Sequence, residues 1–205
     1  MFQSLSEIFP LFESIKALHG KLYNTYWHET RMRYASRMLW GKEMADIDWD
    51  SIEQLIPTDG LFKLKLFYNE TDFTTEIQVY QKRPINQLII VEDDDIRYHL
   101  KFSQRNVWLA YTNNLLPNQD IIVEQNGYLT DSSYANIALW NGNEWHTPKT
   151  PILHGTQRSF LLANNELVEK NIRMKDLGNY KKISLINAML DLGELEIGVE
   201  KVVLS

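Results

Sequence analysis

The chain has 205 residues, 44% of them hydrophobic, with six tryptophans and ten tyrosines; this suits one large or two small globular domains and argues against disorder. A formal net charge of -6 does not favour nucleic acid as a partner, and no apolar run is long enough to span a bilayer. Cysteine is absent, which excludes disulfides, thiolate zinc sites and cysteine nucleophiles.

The opening "MFQSLSEIFP" lacks a basic stretch followed by a long apolar one, so it does not read as a signal peptide and a cytoplasmic protein is expected. Residues 11–23 read as two short strands joined by "LHGK", with Gly20 supplying the positive φ of a tight turn. Asn24 or Thr25 is a candidate N-cap for a helix to about Trp40, with Tyr26, Met32 and Leu39 on an inner stripe. A short helix is expected at Asp50–Leu55, ended by Pro57. The period then changes: 61–68 and 73–80 read as a hairpin, and 87–91, "QLIIV", as a central strand.

The acidic run "EDDD" suggests a boundary, giving an N-terminal α+β domain over 1–92, a linker over 93–97 and a C-terminal domain over 98–205. "IRYHLKF" alternates, which in a strand puts Arg97, His99 and Lys101 on one face. A helix capped by Ser103 follows, then hairpins around Asn126-Gly127 and Asn141-Gly142. "GTQRSFLLANNELVEK" reads as a glycine-led helix, and short strands close the chain.

Several residues carry candidate chemistry, each with an ordinary structural alternative. Lys101, beside Arg97 and His99, is a candidate amine of lowered pKa able to form a Schiff base, or part of a basic face balancing the acidic run. The start of "HGTQRSF" has the unpaired N–H groups that bind phosphate, as does any helix start. Arg31 is a bidentate anion holder or a surface salt bridge, and Asp131 a functional acid or a turn aspartate. The five histidines form no paired ligand motif, and no G-x-S-x-G, phosphate-loop or dinucleotide fingerprint is present.

Taken in order, these pieces resemble the class IV aminotransferase family of pyridoxal-phosphate enzymes. "FESIKALHGKLYNTYWHETRM" is similar to its opening motif, "YHLKFSQR" to the segment with the Schiff-base lysine, and "GYLTDSSYANIALWNGNEWHTPKTPILHGTQR" to its longest signature. The resemblance implies an α+β, two-domain D-amino acid aminotransferase-like fold, with a small N-terminal α/β sandwich and a C-terminal pseudo-barrel. It implies pyridoxal 5'-phosphate held by Arg31, Lys101, Asp131, Thr156, Gln157 and, by a looser match, Asn187. Lys101 would be the catalytic amine and Asp131, where the family usually has glutamate, the partner of the pyridine nitrogen. His28 is read as a structural residue packing the helix on the hairpin. Arg83, with Arg97 as fallback, is the candidate for a substrate carboxylate.

The short chain most resembles aminodeoxychorismate lyases, which release pyruvate from 4-amino-4-deoxychorismate and leave p-aminobenzoate, a step of folate biosynthesis. The alternatives are a transaminase of a small D- or branched-chain amino acid and a cofactor-binding protein without turnover. A homodimer is implied, with no metal, nucleic acid or membrane partner. Only about ten residues precede the opening motif, where the family usually has a further hairpin.

Overall fold

The computed structural model describes residues 4–204. It is a mixed α+β chain that divides into two compact units, one comprising the residues up to Gln81 together with Leu100–Gln104, the other Lys82–His99 and Arg105 onward. The boundary expected at 92–97 is therefore displaced. The strand at 87–92 makes its ladder with strands of the second unit, and the segment holding Lys101 returns to the first.

The first unit contains α1 (Leu5–Ile8), β1 (Leu11–Leu18), β2 (Lys21–Leu22), α2 (Thr25–Trp40), α3 (Trp49–Glu53), β3 (Leu61–Tyr68) and β4 (Phe73–Val79). Its sheet has the order β2-β1-β3-β4, antiparallel throughout. The β1–β2 turn places His19 and Gly20 at φ 52° and 76°, the left-handed pair that a two-residue hairpin needs. Asn24 occupies the N-cap of α2 in a left-handed conformation with no side-chain bond to the helix start, and Gly41 ends the helix, its N–H donating to the Arg37 carbonyl.

Met32 and Ala35 of α2 pack into the core with Ile15, Ala17, Leu64 and Leu66. The expected stripe of Tyr26, Met32 and Leu39 is corrected: Tyr26 is 70% and Leu39 41% exposed, while the buried positions of the helix are His28, Met32, Ala35 and Ser36. These four lie four, three and one residues apart, along one side of a helix of 3.6 residues per turn.

The second unit contains β5 (Gln87–Glu92), α4 (Asn106–Thr112), β6 (Gln119–Gln125), β7 (Tyr128–Ser132), β8 (Asn136–Trp140), β9 (Trp145–Pro148), α5 (Thr156–Ala163), β10 (Val168–Lys170), β11 (Lys182–Ile186), β12 (Glu196–Gly198) and β13 (Val202–Leu204). Seven strands run in the order β10-β9-β8-β7-β6-β5-β13, and β11 branches from β8, carrying β12. β5 is parallel to both neighbours, which agrees with its reading as a central, apolar strand. Asn126 and Gly127 form the β6–β7 turn, with φ 51° and 79°. At the β8–β9 turn Asn141 Oδ1 accepts from the N–H groups of Asn143 and Glu144 at 2.8 and 2.9 Å.

Two further expectations change. Residues 96–101 form no regular strand, although burial alternates: Ile96, Tyr98 and Leu100 are buried and Arg97 and His99 exposed. Alternation records which side chains the core takes, and an irregular extended segment shows it without a ladder. Ser103 does not cap α4, whose N-cap position is Arg105; its hydroxyl donates to the Phe9 carbonyl at 2.7 Å within the first unit. No helix among the described residues is long and apolar enough to cross a membrane.

Candidate active site

Glu13 sits on the inner face of β1, between Leu11 and Ile15, and is fully buried. Arg31, on α2, donates through Nε to Glu13 Oε1 at 2.9 Å and through NH2 to Oε2, so the guanidinium fork lies along the carboxylate. His28, one turn earlier, lies 2.7 Å from the same Oε2 through Nδ1. Burial alone would raise the Glu13 carboxyl, but the Arg31 charge, reinforced by His28, holds it down at about 2. Burial pushes His28 the other way, below its usual range against the pull of Glu13, with Arg31 and Lys101 adding to the fall. A neutral imidazole beside an ionised carboxylate must carry its proton on Nδ1, leaving Nε2 as an acceptor.

Lys101 lies in the same unit, near enough for its charge to bear on His28. Its carbonyl accepts from the Phe12 N–H at 3.1 Å, the flanking Phe102 bridges Leu11, and its Nζ lies 4.8 Å from the Phe12 ring centroid. The backbone tie fixes the amine beside the strand that carries Glu13. Arg31 and Lys101 thus fall in the same unit, and Glu13, which holds Arg31, is the residue that sequence reasoning missed. Its signal was available: a carboxylate at a core-facing position of a strand, flanked at i±2 by leucine and isoleucine, loses its water on folding and needs a cation in its place.

The remaining candidates fall in the second unit. Asp131 on β7 is buried, with Oδ1 accepting from Asn136 Nδ2 at 2.7 Å and Oδ2 from the Leu153 N–H at 2.8 Å. Burial pushes its carboxyl up to about 6 against those two bonds. The nearby guanidinium of Arg158 is committed to Glu169 at 2.6 Å and the Pro148 carbonyl at 2.8 Å. Asn136 also donates to the Leu153 carbonyl at 2.9 Å, which fastens the segment before α5 to the acid.

Gly155 precedes α5, and Thr156 and Gln157 occupy its buried first turn. A Cβ on Gly155 would overlap Asn136 Oδ1 and lie 3.1 Å from Cγ, so glycine is required there for packing. Asn187 makes a turn: its Oδ1 accepts from Met189 N–H at 2.8 Å and its Nδ2 donates to the Tyr134 carbonyl at 3.3 Å. Arg83 stacks 4.9 Å over the Tyr134 ring and donates to the Gln119 carbonyl at 3.2 Å. Arg97 is exposed and donates to the carbonyls of Asp94 and Ile96 at 2.7 and 3.1 Å, so it closes its own loop.

The sequence model for amino-transferase class IV matches residues 103–194. A crystal structure from Haemophilus somnus 129PT, provisionally named a 4-amino-4-deoxychorismate lyase, is 31% identical, covers 94% of this chain and 100% of that one, and superimposes with a TM-score of 0.80. The chain belongs to the class IV aminotransferase family. It is an enzyme of the pyridoxal-phosphate-dependent aminotransferase and lyase kind. An uncharacterised protein of Haemophilus influenzae is 35% identical over 188 residues, 89% of this chain and 98% of that one. A hypothetical aminotransferase from Mycobacterium tuberculosis in a PLP-bound form shares the fold, with TM-score 0.75 at 16% identity over 98% of this chain and 85% of that one.

Proposed function

We propose that this class IV family member is a lyase that converts 4-amino-4-deoxychorismate to p-aminobenzoate and pyruvate. The observation that carries the reading is the Arg31 fork set by Glu13 and His28 in the same unit as Lys101, whose carbonyl is tied to Phe12 on the strand that bears Glu13. The choice of lyase is supported by the likeness to the H. somnus protein over nearly the whole chain.

The residues present fit pyridoxal phosphate. Asp131 is a buried carboxylate raised to about 6, without an ion-pair partner among the described residues, and a cationic pyridine nitrogen would complement it. When bound, the cofactor supplies an electron sink for the pair released at the substrate carbon. In the first unit Arg31, oriented by Glu13, would be the residue to hold a phosphate; in the second unit the backbone N–H groups at the start of α5, at Thr156 and Gln157, would be the anion holders. Asn187 contributes by shaping the turn at 187–190.

Lys101 would be the amine that holds the cofactor, and the same amine would take the proton from the substrate carbon bearing the amino group. Loss of that proton, with departure of enolpyruvate carrying the electron pair of the broken ring C–O bond and its protonation to pyruvate, would leave an aromatic ring, which drives the reaction without a second amino donor.

Pyruvate release from 4-amino-4-deoxychorismate with no keto acid present is the expected result. Amino transfer to 2-oxoglutarate without pyruvate release would replace the reading by a transaminase of small amino acids, and a yellow protein turning over neither would make it a cofactor-binding protein.

A further inference from the structure

The two faces of the first unit's sheet are built differently. Leu11, Glu13, Ile15 and Ala17 face the core under α2. On the other face the register sets Phe12 opposite Phe67, Ser14 opposite Lys65 and Lys16 opposite Lys63. Directly paired residues share a side, as do residues two apart on a strand, so these six side chains lie on one face of the sheet, with Phe12 its most buried member. Across β3, Lys65 stands opposite Glu76 and Lys63 opposite Gln78 of β4. Three lysines against one acid make the surface cationic.

Each of these ammonium groups sits on a ring. Lys65 Nζ lies 5.9 Å from the Phe67 centroid, Lys63 Nζ 5.8 Å from Tyr80 and Lys16 Nζ 6.0 Å from Tyr23. Phe12 and Phe67 stack at 5.9 Å with 24° between their planes, and Lys101 Nζ lies over Phe12. The line Lys101–Phe12–Phe67–Lys65 is therefore continuous, with the reactive amine at one end, a cation at the other and two stacked rings as the floor between them. A ring holds one side of an ammonium group, while its N–H donors on the other side can reach an anion.

We propose that this surface recognises the substrate's carboxylates, with Lys65 as the principal specificity residue, Lys63 its neighbour, and Phe12 and Phe67 the floor under an unsaturated ring. Its connection to catalysis rests on the reading of Lys101 above. The chemistry it selects is a flat ring bearing two carboxylates; an aliphatic amino acid has one carboxylate and no flat group for the floor. Arg83 and Arg97, the sequence's candidates for this task, are engaged at Tyr134 and Gln119 and in the 94–97 loop.

The test is calorimetric titration of the pyridoxal-phosphate-loaded protein with chorismate, which keeps both carboxylates of the proposed substrate and has a hydroxyl in place of its amine. Lys65→Met should weaken binding roughly 10- to 100-fold, the range for loss of a charge-assisted hydrogen bond, and Lys65→Arg should restore most of it. Affinity of the unaltered protein should fall with added salt, and that of Lys65→Met less steeply. Pyridoxal phosphate affinity should be the same in all three proteins. The proposal is overturned if Lys65→Met binds chorismate as the unaltered protein does, if the latter does not bind it, or if Lys65→Met loses the cofactor. Pyruvate release, measured in parallel, tests the reaction separately: Lys65-dependent binding without pyruvate would keep the surface and discard the lyase.

Discussion

Arg31 and Glu13 meet side-on, Nε to Oε1 at 2.9 Å and NH2 to Oε2, with the carboxylate fully buried. The pair fixes the plane of the guanidinium, so Glu13→Gln should be costly in two separable ways. Leaving the part-buried guanidinium against a neutral amide should destabilise the protein by roughly 3 kcal/mol, read by urea unfolding. The variant should also lose affinity for pyridoxal phosphate while keeping its affinity for pyridoxal, which lacks the phosphate. Equal losses for the two ligands would mean that Glu13 serves the fold alone.

Two buried acids give stability opposite slopes against pH. Glu13 is held at about 2 against an ordinary 4.5, so its contribution of about 3 kcal/mol is present above pH 4.5 and lost as pH falls from there toward 2. Asp131 is raised to about 6 from 3.8, so the cofactor-free fold loses a similar amount, about 3 kcal/mol, as pH rises through that interval. Unfolding midpoints across pH 2–8 should show both limbs. Asp131→Asn should flatten the upper limb and Glu13→Gln the lower; an unchanged upper limb in Asp131→Asn would assign it to another group.

Gly155→Ala tests the packing behind Asp131. The new Cβ would press on an Asn136 side chain pinned by its bonds to Asp131 and the Leu153 carbonyl. A cost of about 1–3 kcal/mol is expected, with weakened cofactor binding. Chemical denaturation together with a cofactor titration checks both, and a neutral result would show that the Asn136 amide can turn away.

Lys101→Ala should leave the melting temperature close to that of the unaltered protein without cofactor, because a part-exposed ammonium group over a ring, as at Phe12, contributes only about 0.5–1 kcal/mol. It should abolish the covalent adduct trapped by borohydride from the yellow protein. Mass mapping of the reduced peptide to another lysine would remove Lys101 from its proposed role.

The sequence showed most of the scaffold because its turns are chemically marked: Gly20, Asn126-Gly127 and Asn141-Gly142 each punctuate a hairpin where the structure has one. Arg31 and Lys101 were singled out through their motifs and fall in one unit, and the roles given to them are the proposal that the Glu13→Gln and Lys101→Ala variants test. Glu13 was visible in the same motif but not its role, since a single carboxylate in a strand gives no sign of which cation will come to it across 18 residues. The 96–102 segment was misread because its alternation belongs to packing, while a ladder needs a partner that no local pattern reveals. The lysine-bearing face depended on register, which pairs Ser14 with Lys65 and Lys16 with Lys63 from far apart in the chain.

Leu100–Gln104 fold with the first unit, although the chain on both sides of them belongs to the second. The gene therefore cannot be cut cleanly in two. A fragment ending after β4 encodes the arginine and its acid but omits the amine, and one starting at β5 carries the amine without the strand that anchors it. Recombination, natural or engineered, has to inherit both stretches from the same parent to keep this corner of the molecule whole.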